Sequence, residues 1–252
     1  MAAKRRLYGW IPDLPDHRDF YYAAPRFATL PRRLDLTSKC PAVYDQGQLG
    51  SCTANAIAAA IQFDQMKQKL PKVSRPSRLF IYYNERAMEG TVDSDSGAQI
   101  RDGIKSVAKQ GDCPESLWPY VVARFRTRPP ARCYQDAIHH KAVVYQRLQQ
   151  DLTSMRGCLA AGYPFVFGFT VYQSFESADV ARTGRVELPR PGEGVVGGHA
   201  VMAVGYDDLA ERFVVRNSWG TGWGKRGYFT MPYAYLTQSS LADDFWTIRA
   251  VS

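Results

Sequence analysis

The chain has 252 residues, 45% of them hydrophobic, and a formal net charge of +8. That composition builds a sizeable core and excludes a disordered chain, while no apolar run approaches the roughly 20 residues of a membrane-spanning helix. The basic excess reads as an arginine-rich solvated surface rather than a nucleic-acid site, because no aromatic-and-basic binding motif accompanies it.

Residues 1–33 carry Pro12, Pro15, Pro25 and Pro31 and little periodicity. Prolines at this spacing favour an extended path, so the segment is expected to be an N-terminal arm separable from the body. Its basic start runs into Tyr8-Gly9-Trp10 with no apolar h-region, so no signal peptide is expected. The run Gln46-Gly47-Gln48-Leu49-Gly50-Ser51-Cys52 then leads into an alanine-rich segment that predicts a buried helix over residues 52–69. Cys52 would sit at a helix N-terminus, where unpaired N–H groups and the dipole favour a thiolate, the nucleophilic form of cysteine. Further helices are predicted over Arg78–Arg86, over Ile100–Lys109 with a stop at Gly111, and from about Leu152 to Ala161 with a stop at Gly162. Residues 91–97 read as a polar loop, Trp118-Pro119-Tyr120 as a rigid turn, and 124–132 as a basic solvated loop; His139 and His140 are expected in an exposed helix.

The pattern then changes to strands: 165–172, 200–206, 212–216, 228–231 and 245–248. Helices first and strands second suggest an α+β chain with two lobes: an arm over 1–30, a mainly helical lobe over 31–150 and a mainly β lobe over 151–252. The five cysteines include no Cys-x-x-Cys pair and match no zinc pattern, and an odd count leaves at least one unpaired. The bland expectation is a reduced chain with one reactive thiol and four inert buried ones.

A reactive cysteine needs a base. Four histidines occur, and His199, in Gly197-Gly198-His199 at the mouth of a strand, is the best base by elimination and by its glycine-lined access. A single histidine beside glycines is more often structural, so partners decide. Asn217, before Ser218-Trp219-Gly220, can hold the second ring nitrogen without adding charge, with Trp219 screening that bond from water. Gln46, six residues before Cys52, can aim its amide at a developing oxyanion, with the Cys52 N–H as second donor; Gln48 is the nearby alternative.

These three stretches, in the order Gln, Cys, His, Asn, resemble the signatures of the papain-like cysteine proteases over roughly residues 30–250. His199 lies 147 residues after Cys52, inside the family's range of about 130–150, and Asn217 lies 165 after, slightly beyond it. The resemblance implies a two-lobed papain-like fold, with a β-barrel-like second lobe and an active-site cleft between the lobes. It implies a cysteine endopeptidase acting through a thioester, on peptide or protein substrates, as a monomer without metal or organic cofactor. Gly97 and Ala98 resemble the strip that hydrogen-bonds substrate backbone; Gly168 and Gly197 fall where the family lines its second specificity pocket, with room for a bulky apolar side chain, and Gly198 and Trp219 would be further substrate-binding positions. Trp118-Pro119-Tyr120 resembles the family's Tyr-Pro-Tyr turn.

The chain also departs from the family. Leu49 replaces a usual cysteine and Asp95 stands near its partner's position, so that disulfide is absent; Thr53 replaces the aromatic after the nucleophile. His139-His140 resemble a cathepsin B histidine pair, but their placement does not fit and no dipeptidase activity is expected. Residues 1–33 are too short for the usual propeptide, and 1–30 are expected to be a short pro-segment across the cleft, as in a bacterial branch. The competing readings are a catalytically silent binding or effector protein on the same fold, and a transamidase or deamidase using the same dyad.

Overall fold

A computed structural model describes residues 7–23 and 29–252. The first long element is α1, Cys52–Lys67, which starts at the cysteine and is buried almost all round. Its alanines at 54, 56 and 58–60 leave only methyl groups on the surface, so neighbouring elements approach closely from several sides. It packs on α2 (Arg78–Glu89) and α3 (Ile100–Gln110) on one side and on the sheet on the other. The Ser77 hydroxyl caps α2 by accepting the Phe80 N–H, and Gly90 ends it in the left-handed region at φ 72°. Three shorter helices follow: α4 (Ala131–Ala137), α5 (Leu152–Ala160), capped by Asp151, and α6 (Ala178–Thr183). The last, α7, spans Tyr233–Thr237.

The sheet strands are β1 (Arg33–Asp35), β2 (Ala142–Arg147), β3 (Phe165–Tyr172), β4 (Val195–Asp207), β5 (Arg212–Arg216), β6 (Tyr228–Pro232) and β7 (Ala242–Val251). They form one antiparallel sheet in the order β2-β7-β3-β4-β5-β6, with β1 on the C-terminal end of β4. The chain is thus α+β, with the helices α1–α3 before the main strands. β1 and β2 come from the first 150 residues and still join the sheet that carries the later strands. Phe165, Phe167, Phe169, Phe213 and Phe245 fill its core as a run of ring contacts.

Two local expectations change. The strand expected over 200–206 begins at Val195, so His199 lies within β4, paired with Phe169 on β3, rather than at a strand mouth. Gly197 and Gly198 hid this, because glycine weakens a strand pattern while still pairing where another backbone approaches closely. His139 and His140 lie beyond the end of α4, not within it. There the chain already pairs elsewhere: the His140 carbonyl accepts the Asp112 N–H at 2.8 Å. Among the described residues no disulfide forms; Cys113, Cys133 and Cys158 are buried, whereas Cys40 is half-buried rather than fully so. The basic loop is exposed, its arginines laid on aromatic faces such as Arg124 on Trp118 and Arg128 on Tyr134.

Candidate active site

Cys52 is the first residue of α1, and its side chain is fully buried. The sulfur has the Ala200, Gly9 and Thr53 backbone N–H groups around it. Ala200 follows His199 on β4, so the helix start and the strand bring cysteine and histidine to one point. Burial pushes the thiol up to about 12, against the pull of those N–H groups. The helix-start argument for a thiolate therefore loses to desolvation, and the burying layer includes the N-terminal arm.

The imidazole of His199 is held on two sides. Its Nε2 lies 2.8 Å from Asn217 Oδ1, which also accepts the Ser218 N–H at 2.8 Å. A proton on Nε2 donated to that oxygen leaves Nδ1 as the basic nitrogen. The Trp219 indole stacks on the ring, with centroids 5.0 Å apart and planes 26° off parallel. It lies over the histidine–asparagine pair from the loop after β5, where sequence reasoning expected a shield.

Gln46 is buried, and its Oε1 accepts the Ser218 hydroxyl at 2.6 Å. That fixes the amide so that Nε2 donates to the Leu49 carbonyl at 2.9 Å and to the Leu7 carbonyl of the arm at 3.3 Å. Tyr120 braces the same loop: its hydroxyl donates to the Gln46 carbonyl at 3.0 Å and lies 2.6 Å from Ser51 Oγ. The rigid turn at 118–120 thus supports the loop before the cysteine. Thr53 donates to Glu85 at 2.7 Å, and the burial of Glu85 raises its carboxyl well above the usual range.

The arm runs through the remaining space. Ala98 N–H donates to Gly9 O at 2.7 Å, Ile11 N–H to Ala98 O at 3.1 Å, and Trp10 N–H to Gly198 O at 2.9 Å. The result is a parallel bridge between Trp10 and Ala98. Glycines make this approach possible. A Cβ on Gly9 would stand 1.7 Å from the Gly50 carbonyl oxygen, and one on Gly168 would stand 1.9 Å from the Trp10 indole. Gly197 and Gly198 face Tyr8 and Trp10 in the same way. Tyr8 meets His199 edge-on at 5.9 Å, and its hydroxyl donates to Glu176 at 2.7 Å. The Trp10 indole N–H reaches Asp244 at 3.0 Å.

The sites expected at Cys52, Gln46, His199, Asn217, Trp219, Gly97, Ala98, Gly168, Gly197 and Gly198 therefore lie around one cleft. A model of the papain family of cysteine proteases matches residues 30–246. The chain belongs to the papain family. It is a cysteine peptidase, a hydrolase, with the papain-like fold. The crystal structure of xylellain, a cysteine protease from Xylella fastidiosa, superposes with a TM-score of 0.92 at 48% identity, covering 100% of each chain. An uncharacterized peptidase C1-like protein of Acanthamoeba polyphaga mimivirus is 47% identical over 235 residues, 90% of this chain and 73% of that one. A cathepsin B-like protein of Giardia intestinalis is 32% identical over 207 residues, 75% of this chain and 63% of its own length.

Three residues at this papain-family site escaped the sequence. Tyr8 and Trp10 registered only as aromatics in a proline-rich arm; their signal was Gly9 between them, where no side chain fits. Asp244 gave none, since its neighbours across the sheet come from distant parts of the chain. Asp95, noted as a missing cysteine partner, accepts the Gly50 N–H at 3.0 Å and the Tyr82 hydroxyl. A carboxylate thus ties the loop before Cys52 to the 91–97 loop where the disulfide is absent. Among the described residues, no group of histidine, cysteine and acidic side chains is placed to hold a metal, and no helix is long and apolar enough to cross a membrane.

Proposed function

We propose that this papain-family peptidase is an endopeptidase held inactive by its own N-terminal arm. In the open enzyme Cys52 passes its proton to His199 and attacks the scissile carbonyl. Gln46 Nε2–H and the Cys52 N–H stabilise the oxyanion, His199 protonates the leaving amine, and water hydrolyses the thioester. Asn217 orients the ring through Nε2. Substrate backbone pairs with Gly97-Ala98, and a bulky apolar side chain enters the pocket lined by Gly168 and Gly197.

The observation that carries this reading is the occupancy of those positions by the arm. The Leu7 carbonyl takes a Gln46 amide hydrogen, Gly9 and Ile11 pair with Ala98, and Trp10 lies on Gly168. Each group assigned to substrate already has a chain segment on it, which accounts for a neutral, buried Cys52. A chain starting near Leu30 is therefore expected to cleave a peptide library and to take an epoxide inhibitor such as E-64 on Cys52, while the full chain reacts much more slowly. Equal rates would sink the inhibitory role, and the absence of a Cys52 adduct in both forms would sink the enzyme reading. Cleavage of peptide bonds, rather than amide exchange on side chains, separates a peptidase from a transamidase.

A further inference from the structure

Behind the cleft the arm inserts a cluster of charges into the body. Asp13 and Asp19 from the arm and Asp244 from β7 have side chains 0%, 3% and 0% exposed. Arg101 on α3 and Arg147 on β2 face them. Asp13 Oδ1 accepts the Arg101 N–H at 3.1 Å and its Oδ2 the Trp246 indole N–H at 3.0 Å. Asp244 Oδ2 accepts the Asp13 N–H at 2.8 Å and the Trp10 indole N–H at 3.0 Å, and its Oδ1 lies 3.1 Å from Arg147. Asp19 holds Arg101 at 2.6 Å and Arg147 at 3.3 Å. At the rim stand Asp243 on Arg147, Tyr21 beside it, Asp102 near Arg101, and Asp16 between Arg18 and Lys105.

We propose that docking of the arm takes up a proton at Asp13 and Asp244, so that the arm is held at acidic pH and released as the pH rises toward neutrality. The inference rests on the arm being the inhibitor. Three buried carboxylates face the buried Arg101 and the half-buried Arg147, and the third negative charge is expensive away from water. Asp19 engages Arg101 most closely, Asp244 and Asp243 take Arg147 at 3.1 Å, and Asp13 is left with the longest approaches, 4.0 Å to Arg101 and 3.8 Å to Arg147. Burial raises both carboxyls, Asp244 to about 7; the charges of Asp13 and Asp243 add to the effect on Asp244, and Arg147 opposes it. The N–H donors oppose this shift, but those on Asp244 come from Trp10 and Asp13 and leave with the arm. Released, Asp13 returns to the ordinary carboxylate range near 3.9, and Asp244 loses both its cover and its charged neighbour.

The sign follows from linkage. Both carboxyls are raised in the docked state, so their contribution to docking is full below the ordinary carboxylate range. It is lost as the pH climbs through about 7. One proton taken up weakens docking by up to about tenfold per pH unit across that window.

Hydrogen exchange in the full-length chain reads docking without relying on catalysis. Protection of the Trp10, Ile11 and Asp13 amides, corrected for intrinsic exchange, is expected to fall roughly 100-fold from pH 5 to pH 7. Asp244→Asn keeps an acceptor oxygen and removes the charge; it should flatten the profile and hold the arm at pH 7. Asp13→Asn, which lies in the arm and leaves the body intact, should do the same. Equal protection of the native chain at both pH values, or an unchanged slope in both variants, overturns the proposal. Alkylation of Cys52 by iodoacetamide, relative to full-length Gly9→Val with its arm displaced, separates the two readings. A ratio near one at every pH removes the inhibitory arm itself; a low ratio that does not change with pH removes only the proton linkage.

Discussion

Asp95 ties together two loops beside Cys52. It receives the Gly50 N–H and the Tyr82 hydroxyl, joining the loop before Cys52 to the loop that holds Gly97. Hydrogen bonds to a charged acceptor contribute about 1.5–3 kcal/mol each. Asp95→Ala is therefore expected to lower stability by about 2–4 kcal/mol in chemical denaturation, with the Cys52 loop loosened; a change under about 0.5 kcal/mol would mean the loop holds itself. Gln46 is fixed by Ser218 Oγ at 2.6 Å, so its amide direction does not depend on substrate. In an arm-free chain Gln46→Ala should reduce kcat about 100- to 1000-fold while Cys52 still takes an alkylating agent. Loss of both together would point to a collapsed loop instead.

The arm and the glycines beneath it form one unit at the scale of elements. Gly9 has a carbonyl where a Cβ would go, and Gly168 has the Trp10 ring there. Gly9→Val is expected to lift residues 7–11 out of the cleft and raise full-chain peptidase activity toward that of a chain starting near Leu30. Trp10→Ala should act in the same direction, since deleting a large buried aromatic typically costs about 3–5 kcal/mol. Activity unchanged in both variants would place the block elsewhere than at Trp10. β4 is the counterpart of the arm: its start must carry glycines to accept Trp10, and its middle must carry His199 against α1.

For the whole molecule, α1 and the sheet set the cleft and the arm closes it, which makes the state of Cys52 a property of the assembled chain. With the arm in place burial pushes the thiol up to about 12. The alkylation rate of the full chain should keep rising with pH well past neutrality. Opening the arm should move that rise to lower pH as the thiolate gains water and a neighbouring imidazolium; profiles that coincide would separate the arm from the thiol. The sequence by itself determined the α+β class, the main helices and strands, the candidate residues and their family, because these rest on local periodicity and on motifs contiguous in the chain. Gly197 and Gly198 obscured the start of β4, since a strand with no side chains has no pattern. Only the tertiary structure decided that Trp10 lies on Gly168, that Asp95 ties the loop before Cys52 to the 91–97 loop, and that Asp13, Asp19 and Asp244 share two arginines. Contacts in this cluster join residues up to 234 positions apart, as the Trp10 indole N–H to Asp244 bond does. No local propensity encodes such a meeting. Packing creates it, and the same packing turns a helix-start cysteine that favours the thiolate into a buried neutral thiol.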